Sequence, residues 1–243
     1  KIEDWYNVTR NDNFKLEWVD KYPNKKWYWD YIYKFKKINL DFIKKYLKKD
    51  RYLVSLTQNP YLELEWIDYV EDRIQIWYYF SNNSNLQLSW LIKYQNKRWD
   101  WEDISFHKNL TAEWLEKLDQ KKFNWQLVSK NTHLKLDWID KFPNQNWDWY
   151  AISYHKDLNI EFIEKYKYKK WDWNLISRHE NIKMEWIEKH PTWNWSWEII
   201  TMNIKVDLTW FEKHPDWNWS WDLIQYNSNF TEEWKKKFPK ITI

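Results

Sequence analysis

The chain has 243 residues, 31% of them charged, yet a net charge of only +3, so it can form a substantial core but is too nearly neutral to be a dedicated nucleic-acid wrapper. It has no Cys and no Gly, which excludes disulfides, thiolate metal sites and every Gly-dependent phosphate loop, dinucleotide fingerprint and nucleophile elbow. Its mean hydropathy of -0.99 is offset by 25 Trp, 17 Tyr and 11 Phe, whose side chains bury roughly 150–250 Å² each.

An internal period organises the chain. From Trp18, steps of 24 residues reach Phe42, Trp66, Trp90, Trp114, Trp138, Phe162, Trp186, Trp210 and Trp234 without a gap. A second column runs Trp5, Trp29, Leu53, Trp77, Trp101, Trp125, Trp149, Trp173, Trp197 and Trp221. A third runs Trp27, Arg51, Gln75, Trp99, Phe123, Trp147, Trp171, Trp195 and Trp219. Each unit reads as two short helices joined by a turn.

Residues 3–10 hold only the second helix of a unit, so the array is expected to continue before Lys1. Between residues 25 and 51 stand Lys25, Lys26, Lys34, Lys36, Lys37, Lys44, Lys45, Lys48, Lys49 and Arg51. Against them are Asp30, Asp41 and Asp50, so ten basic and three acidic residues leave a net +7. Phe35, Arg51 and Gln75 break the columns and make units two to four irregular. Asn39, Thr111, Asn159, Asp207 and Thr231 occupy the N-cap column of the first helices. Apolar residues before the cap (Ile38, Leu110) and at N4 (Ile43, Leu115) form hydrophobic staples.

The second helices end in a column of Asn11, Asn59, Asn83, Asn131, Asn203 and Asn227, interrupted by His107, His155 and His179. With no Gly available, this column is expected to adopt the left-handed conformation. In a regular unit, Leu136, Trp138, Ile139 and Phe142 share a helical face and Pro143 stops the helix. Asp148 and Asp172 then cap second helices. Glu113/Lys117, Asp137/Lys141, Glu161/Lys165 and Glu185/Lys189 are spaced as i,i+4 ion pairs.

His190 and His214 lie one unit apart, but no carboxylate or thiol column completes a metal site, so a structural role is expected. Trp193 and Trp217 occupy a column that elsewhere holds Lys25, Lys49, Arg73, Lys97, Lys121 and Lys169. They are therefore candidate exposed anchors for a protein partner, since Trp is enriched at interface hot spots. Glu232 and Lys235 replace apolar positions, making residues 230–243 a C-terminal capping unit.

Helices of about seven residues are unstable alone. The expected fold is therefore an all-α solenoid of about ten helix-turn-helix repeats, a single continuous array over residues 1–243 stacked through its Trp columns. A leucine-rich repeat has a compatible period, but Val19, Ile43 and Ile139 stand where it requires Asn.

The unit Asn181-Ile-Lys-Met-Glu-Trp186-Ile-Glu-Lys-His-Pro191, followed by Trp195-Ser-Trp197-Glu-Ile-Ile200, resembles the Trp-rich short tandem repeats of giant DNA viruses over the whole chain. The excess of Lys, Asn, Ile and Tyr also suits an AT-rich genome. The resemblance implies a repeat scaffold and carries over no catalytic residues. It implies a place in the virion or host cytoplasm.

The expected function is a non-enzymatic scaffold that binds a protein partner or builds a virion. The alternative is a nucleic-acid-binding helical repeat that uses the basic patch at residues 25–51. No catalytic residue, metal, cofactor or small-molecule substrate is expected. No apolar run reaches about 18 residues and no signal peptide is visible, so neither membrane partner nor secretion is expected.

Overall fold

The protein is represented by a computed structural model that describes residues 4–73, 77–203 and 205–238. Gln75 of the third Trp column, and residues 239–243 of the expected capping unit, lie outside the described residues. The structure is all-helical, with eighteen short α-helices, interspersed 3-10 turns and no strand among the described residues.

Local chemistry sets the helix ends. The Leu136–Lys141 helix stops where the Phe142 amide bonds to the Trp138 carbonyl and Pro143 has no amide to continue it. The Trp149–Ile152 helix starts because the Asp148 carboxylate accepts the amides of Tyr150 and Ala151 at 3.1 and 3.2 Å. Asp100, Asn124 and Asp172 cap second helices in the same way. Among the first helices, Asn39, Asn159 and Asp207 accept amides as expected. Thr111 and Thr231 hold the cap position without a side-chain bond. Two second helices tighten into 3-10 turns, Trp77–Phe80 and Ile224–Tyr226.

The chain divides into two compact units, Lys1–His133 and Leu134–Ile243. In the first, the Trp29–Phe35 helix packs against Trp5–Arg10 and Leu53–Thr57, and Leu40–Tyr46 packs against Leu64–Val70. First helices thus meet first helices, and second helices meet second helices. In the other unit, Trp173–Ser177 packs against Trp197–Thr201.

The core of each unit is built from the repeat columns. Trp66, Trp90, Trp114, Trp138, Trp186 and Trp234 are buried, as are the aliphatic neighbours Ile67, Leu91, Leu115, Ile139 and Ile187. Where it holds Trp, the third column ties the inter-helix turn to itself. The indole N–H of Trp27, Trp99, Trp147, Trp171, Trp195 and Trp219 donates to the carbonyl five residues earlier, at 2.8–3.1 Å. Phe123 has no such donor, and there Trp125 bonds instead to the Gln120 carbonyl.

The Asn column departs from expectation: no described non-Gly residue has a positive φ, and Asn131 sits at φ -67°, ψ 128°. Its residues are selected for their amide groups and not for left-handed backbone. The Asn131 Nδ2 donates to the Ser105 and His107 carbonyls of the preceding repeat, while its Oδ1 accepts the His133 amide. Asn59, Asn83 and Asn227 repeat this arrangement.

A second buried column supports it. Ser105, Ser153 and Thr201 donate to the carbonyl four residues earlier and accept an amide from the next repeat's second helix or its cap. The Tyr33 side chain stands in this column, and its buried hydroxyl has no hydrogen-bond partner.

Histidine fits the Asn column because its two ring nitrogens supply the amide's acceptor and one of its two donor bonds. In His107, Nδ1 accepts the Asn109 amide at 3.0 Å and Nε2 donates to the Asn83 carbonyl at 2.9 Å. This geometry requires a neutral ring protonated on Nε2. Burial holds the His107 pKa below its ordinary 6.5, with the Asn83 carbonyl opposing the shift and Lys108 adding to it. Unfolded His107 therefore takes up a proton more readily. The stability it contributes is complete above about pH 6.5 and declines as the pH falls below that value. His107→Asn keeps the bonds and removes the proton. We expect its urea midpoint to fall less than the wild type's between about pH 7.5 and about pH 5. Equal falls would show that His107 is not held neutral.

The ion pairs also differ from the expected pattern. Glu113–Lys117 forms within its helix at 2.6 Å. Lys165 and Lys189 instead reach Asp140 and Glu164, each at 2.6 Å, in the preceding repeat. Lys45–Asp20, Lys93–Asp68 and Lys213–Glu188 follow the same course. Stacking brings the earlier repeat's acid within reach of a Lys 25 residues later. Each of these acids also receives an aromatic partner: Tyr46, Tyr94 and Tyr166 on Asp20, Asp68 and Asp140, or His190 and His214 on Glu164 and Glu188.

Candidate functional site

Trp193 and Trp217 are half-buried and integrated into the fold. Trp193 lies parallel to His190, with ring centroids 3.8 Å apart, and contacts Trp173 at 5.4 Å. Trp217 repeats this with His214 at 3.8 Å and Trp197 at 5.4 Å. At three places where the same column carries a cation, that cation covers the equivalent indole, and at Trp101 the next residue, Lys122, does so instead of Lys121. Lys25 lies over Trp5 at 5.0 Å, Lys97 over Trp77 at 5.1 Å and Lys169 over Trp149 at 5.5 Å. At Trp5, Trp77, Trp149, Trp173 and Trp197 the column thus covers the Trp of the second helix, with either a cation or an indole.

The stacked histidines are fixed at their outer nitrogen. His190 bonds to Glu164 at 2.6 Å and His214 to Glu188 at 2.8 Å. Bonds from Lys189 and then His190 hold the Glu164 carboxyl below its usual pKa, and Lys213 and His214 do the same to Glu188. These residues play the part of Tyr46, Tyr94 and Tyr166 elsewhere. Among the described residues, no group of three or more His, Asp or Glu could hold a metal ion.

A pocket of about 390 Å³ is lined by Asn82, Ser84, Asp103, Phe106, His107 and Lys108. Burial raises the Asp103 pKa, and Asp100 and Glu102 add to it. Both nitrogens of His107 are engaged by backbone groups, so it offers no free base to that carboxyl.

The residues of the basic patch go to several places. Lys44, Lys45 and Lys48 lie on and after the Leu40–Tyr46 helix, with Lys44 over Tyr69, Lys45 paired to Asp20 and Lys48 bonded to the Lys44 carbonyl. Arg51 lies over the Tyr52 ring and bonds its hydroxyl, next to an exposed Lys49. Lys25 covers Trp5, and Lys26 is exposed. Lys34 and Lys36 lie against one set of rings, and Lys37 against another. Lys34 lies over Phe35, Lys36 over Phe14 and Tyr31, and Lys37 over Tyr61, at 5.2–6.0 Å.

Lys34 and Lys36 border a row of rings. Tyr6 stacks on Tyr28 at 4.5 Å, Tyr28 on Tyr31 at 5.9 Å, and Tyr31 meets Phe35 at 4.8 Å. Arg10 lies over both Tyr6 and Tyr31, at 5.5 and 5.9 Å. Tyr6 and Phe35 are 44% and 49% exposed, so the row opens to solvent at both ends.

Sequence reasoning found the cations and missed the rings. The available signal was a break in the columns. Tyr28 stands where Asp100, Asp148 and Asp172 cap their helices, and Phe35 stands in the buried Asn column. The Trp29–Phe35 helix accordingly has no side-chain cap. The Lys36 ammonium bonds to the Asn11 carbonyl at 2.8 Å, supplying the donor that a column Asn would have provided.

No described helix is long and apolar enough to cross a membrane. Compared with known protein families, curated proteins and solved structures, the chain matches none.

Proposed function

We propose that the chain is a non-enzymatic α-solenoid scaffold that binds a partner protein. The observation that carries this reading is the use made of its regular ionisable groups. Lys45, Lys93, Lys165, Lys189 and Lys213 engage acids of the neighbouring repeat, leaving a periodic surface suited to recognition. The resemblance to giant-virus Trp-rich repeats extends the proposal to an assembly component of the virion or host cytoplasm. A compact globule of this length has a radius of gyration of about 18 Å. Small-angle scattering should give a clearly larger value, and one near 18 Å would remove the solenoid.

Trp193 and Trp217 are the proposed anchors, half-buried indoles stacked on His190 and His214. The double variant Trp193→Lys/Trp217→Lys should fold normally, because Lys25, Lys97 and Lys169 occupy the same place over a Trp. Its affinity for the co-purifying partner should fall roughly tenfold or more. Unchanged affinity with unchanged circular dichroism would eliminate the anchor role.

A further inference from the structure

We propose that the Tyr6–Tyr28–Tyr31–Phe35 row, with Arg10, Lys34 and Lys36, is a platform for single-stranded nucleic acid. The rings form a continuous series, stacked from Tyr6 through Tyr28 to Tyr31 and tilted by 44° between Tyr31 and Phe35, ending in exposed rings at Tyr6 and Phe35. An unpaired base can extend such a stack on its own π-face, as strand-binding surfaces do without reading sequence. A duplex keeps its base faces covered and gains little from the row.

The cations complete the match. Arg10 and Lys36 lie over Tyr31, and Lys34 lies over Phe35, so positive charge borders the rings where a sugar–phosphate chain would run beside stacked bases. The surrounding stretch of residues 25–51 carries a net +7, from ten basic and three acidic residues.

The repeat gives up stabilising residues to build this surface. Tyr28 replaces a capping carboxylate, leaving its helix without a side-chain cap, and Phe35 replaces a buried bonding amide with a half-exposed ring. Tyr28 stacks across the repeats on Tyr6, and the resulting flat apolar faces beside cations suit such a ligand. The platform is separate from Trp193 and Trp217, so its failure would leave the protein-anchor proposal standing.

The test is fluorescence anisotropy of the whole chain with labelled oligo(dT), oligo(U) and a duplex of equal length. Single strands should bind at low salt, weaken steeply as salt rises, and bind at least about tenfold tighter than the duplex. Tyr6→Ala should cost roughly tenfold in affinity. Phe35→Asn should cost a similar factor without lowering the melting temperature, because it restores the residue that Asn59 and Asn83 show to be structurally sound. Arg10→Ala should flatten the salt slope by about one. Absence of single-strand binding at low salt would overturn the proposal. So would equal binding of duplex and single strand that Tyr6→Ala and Phe35→Asn leave unchanged, since that is adsorption of any polyanion. Binding of an acidic peptide that excess oligonucleotide fails to displace from this surface would overturn it as well.

Discussion

Trp99→Ala should destabilise the protein by about 3–5 kcal/mol, the cost of deleting a buried indole from a core that cannot close around the space. Trp99 is buried, meets Trp77 edge-on at 5.5 Å, and donates its indole N–H to the Tyr94 carbonyl at 2.8 Å. Truncation therefore removes both the wedge between the two helices and the bond that closes their turn. Trp99→Phe keeps an aromatic ring but loses the donor and part of the ring volume, at about 1–3 kcal/mol. Phe123 occupies the same column and is buried, so the site accepts a phenyl ring. Guanidinium unfolding at constant slope measures both losses. Equal midpoints for Trp99→Ala and Trp99→Phe would show that the third column does not wedge the repeat.

Replacing Asn83 by Leu should be about as damaging as truncating the indole. The Asn83 Nδ2 donates to the carbonyls of Thr57 and Asn59 at 2.6 and 2.9 Å, and its Oδ1 accepts the Asn85 amide at 2.8 Å. Leu has a similar size but leaves two carbonyls and an amide without this partner in a buried setting. The Asn59 carbonyl keeps the Leu62 amide, and the two groups left over cost about 1–3 kcal/mol each, so a total of about 2–6 kcal/mol is expected. Asn83→His should cost only about 1 kcal/mol, because His107 already makes two of the three equivalent bonds one repeat later and loses only the second carbonyl. Unfolding midpoints and the exchange rate of the Asn85 amide give the two readouts. If Leu were tolerated as well as His, the column would be a packing feature and not a hydrogen-bonding one.

Much of the helical organisation was legible in the sequence because phase is a property of the chain itself. Steps of 24 residues located the helix pairs, and Asp148 and Asp172 marked where second helices begin. The Asn column was misread because Asn has two uses at a helix end. It tolerates left-handed backbone, and it carries an amide able to bond elsewhere. Only the second use operates here, and its partners lie 24 and 26 residues away, beyond any local spacing rule. The ion pairs failed in the same way. Spacing within a helix pointed Lys165 to Glu161, while the neighbouring repeat offered Asp140. At the candidate platform, the Lys residues announced themselves by charge. The rings were hidden because an aromatic in so aromatic a chain reads as core, unless its column normally holds Asp or Asn.

The hydrogen bonds between repeats also share a direction. Asn59, Asn83, Asn131 and Asn227, the ammonium groups of Lys45, Lys93 and Lys165, and the amide of Asp172 all donate from the later repeat to an acceptor on the earlier one. Within each unit, a repeat emerging from the ribosome meets a neighbour whose acceptors are already folded into place. Synthesis order and bonding polarity therefore coincide, and each unit can be laid down vectorially, every new hairpin templated on the one before it.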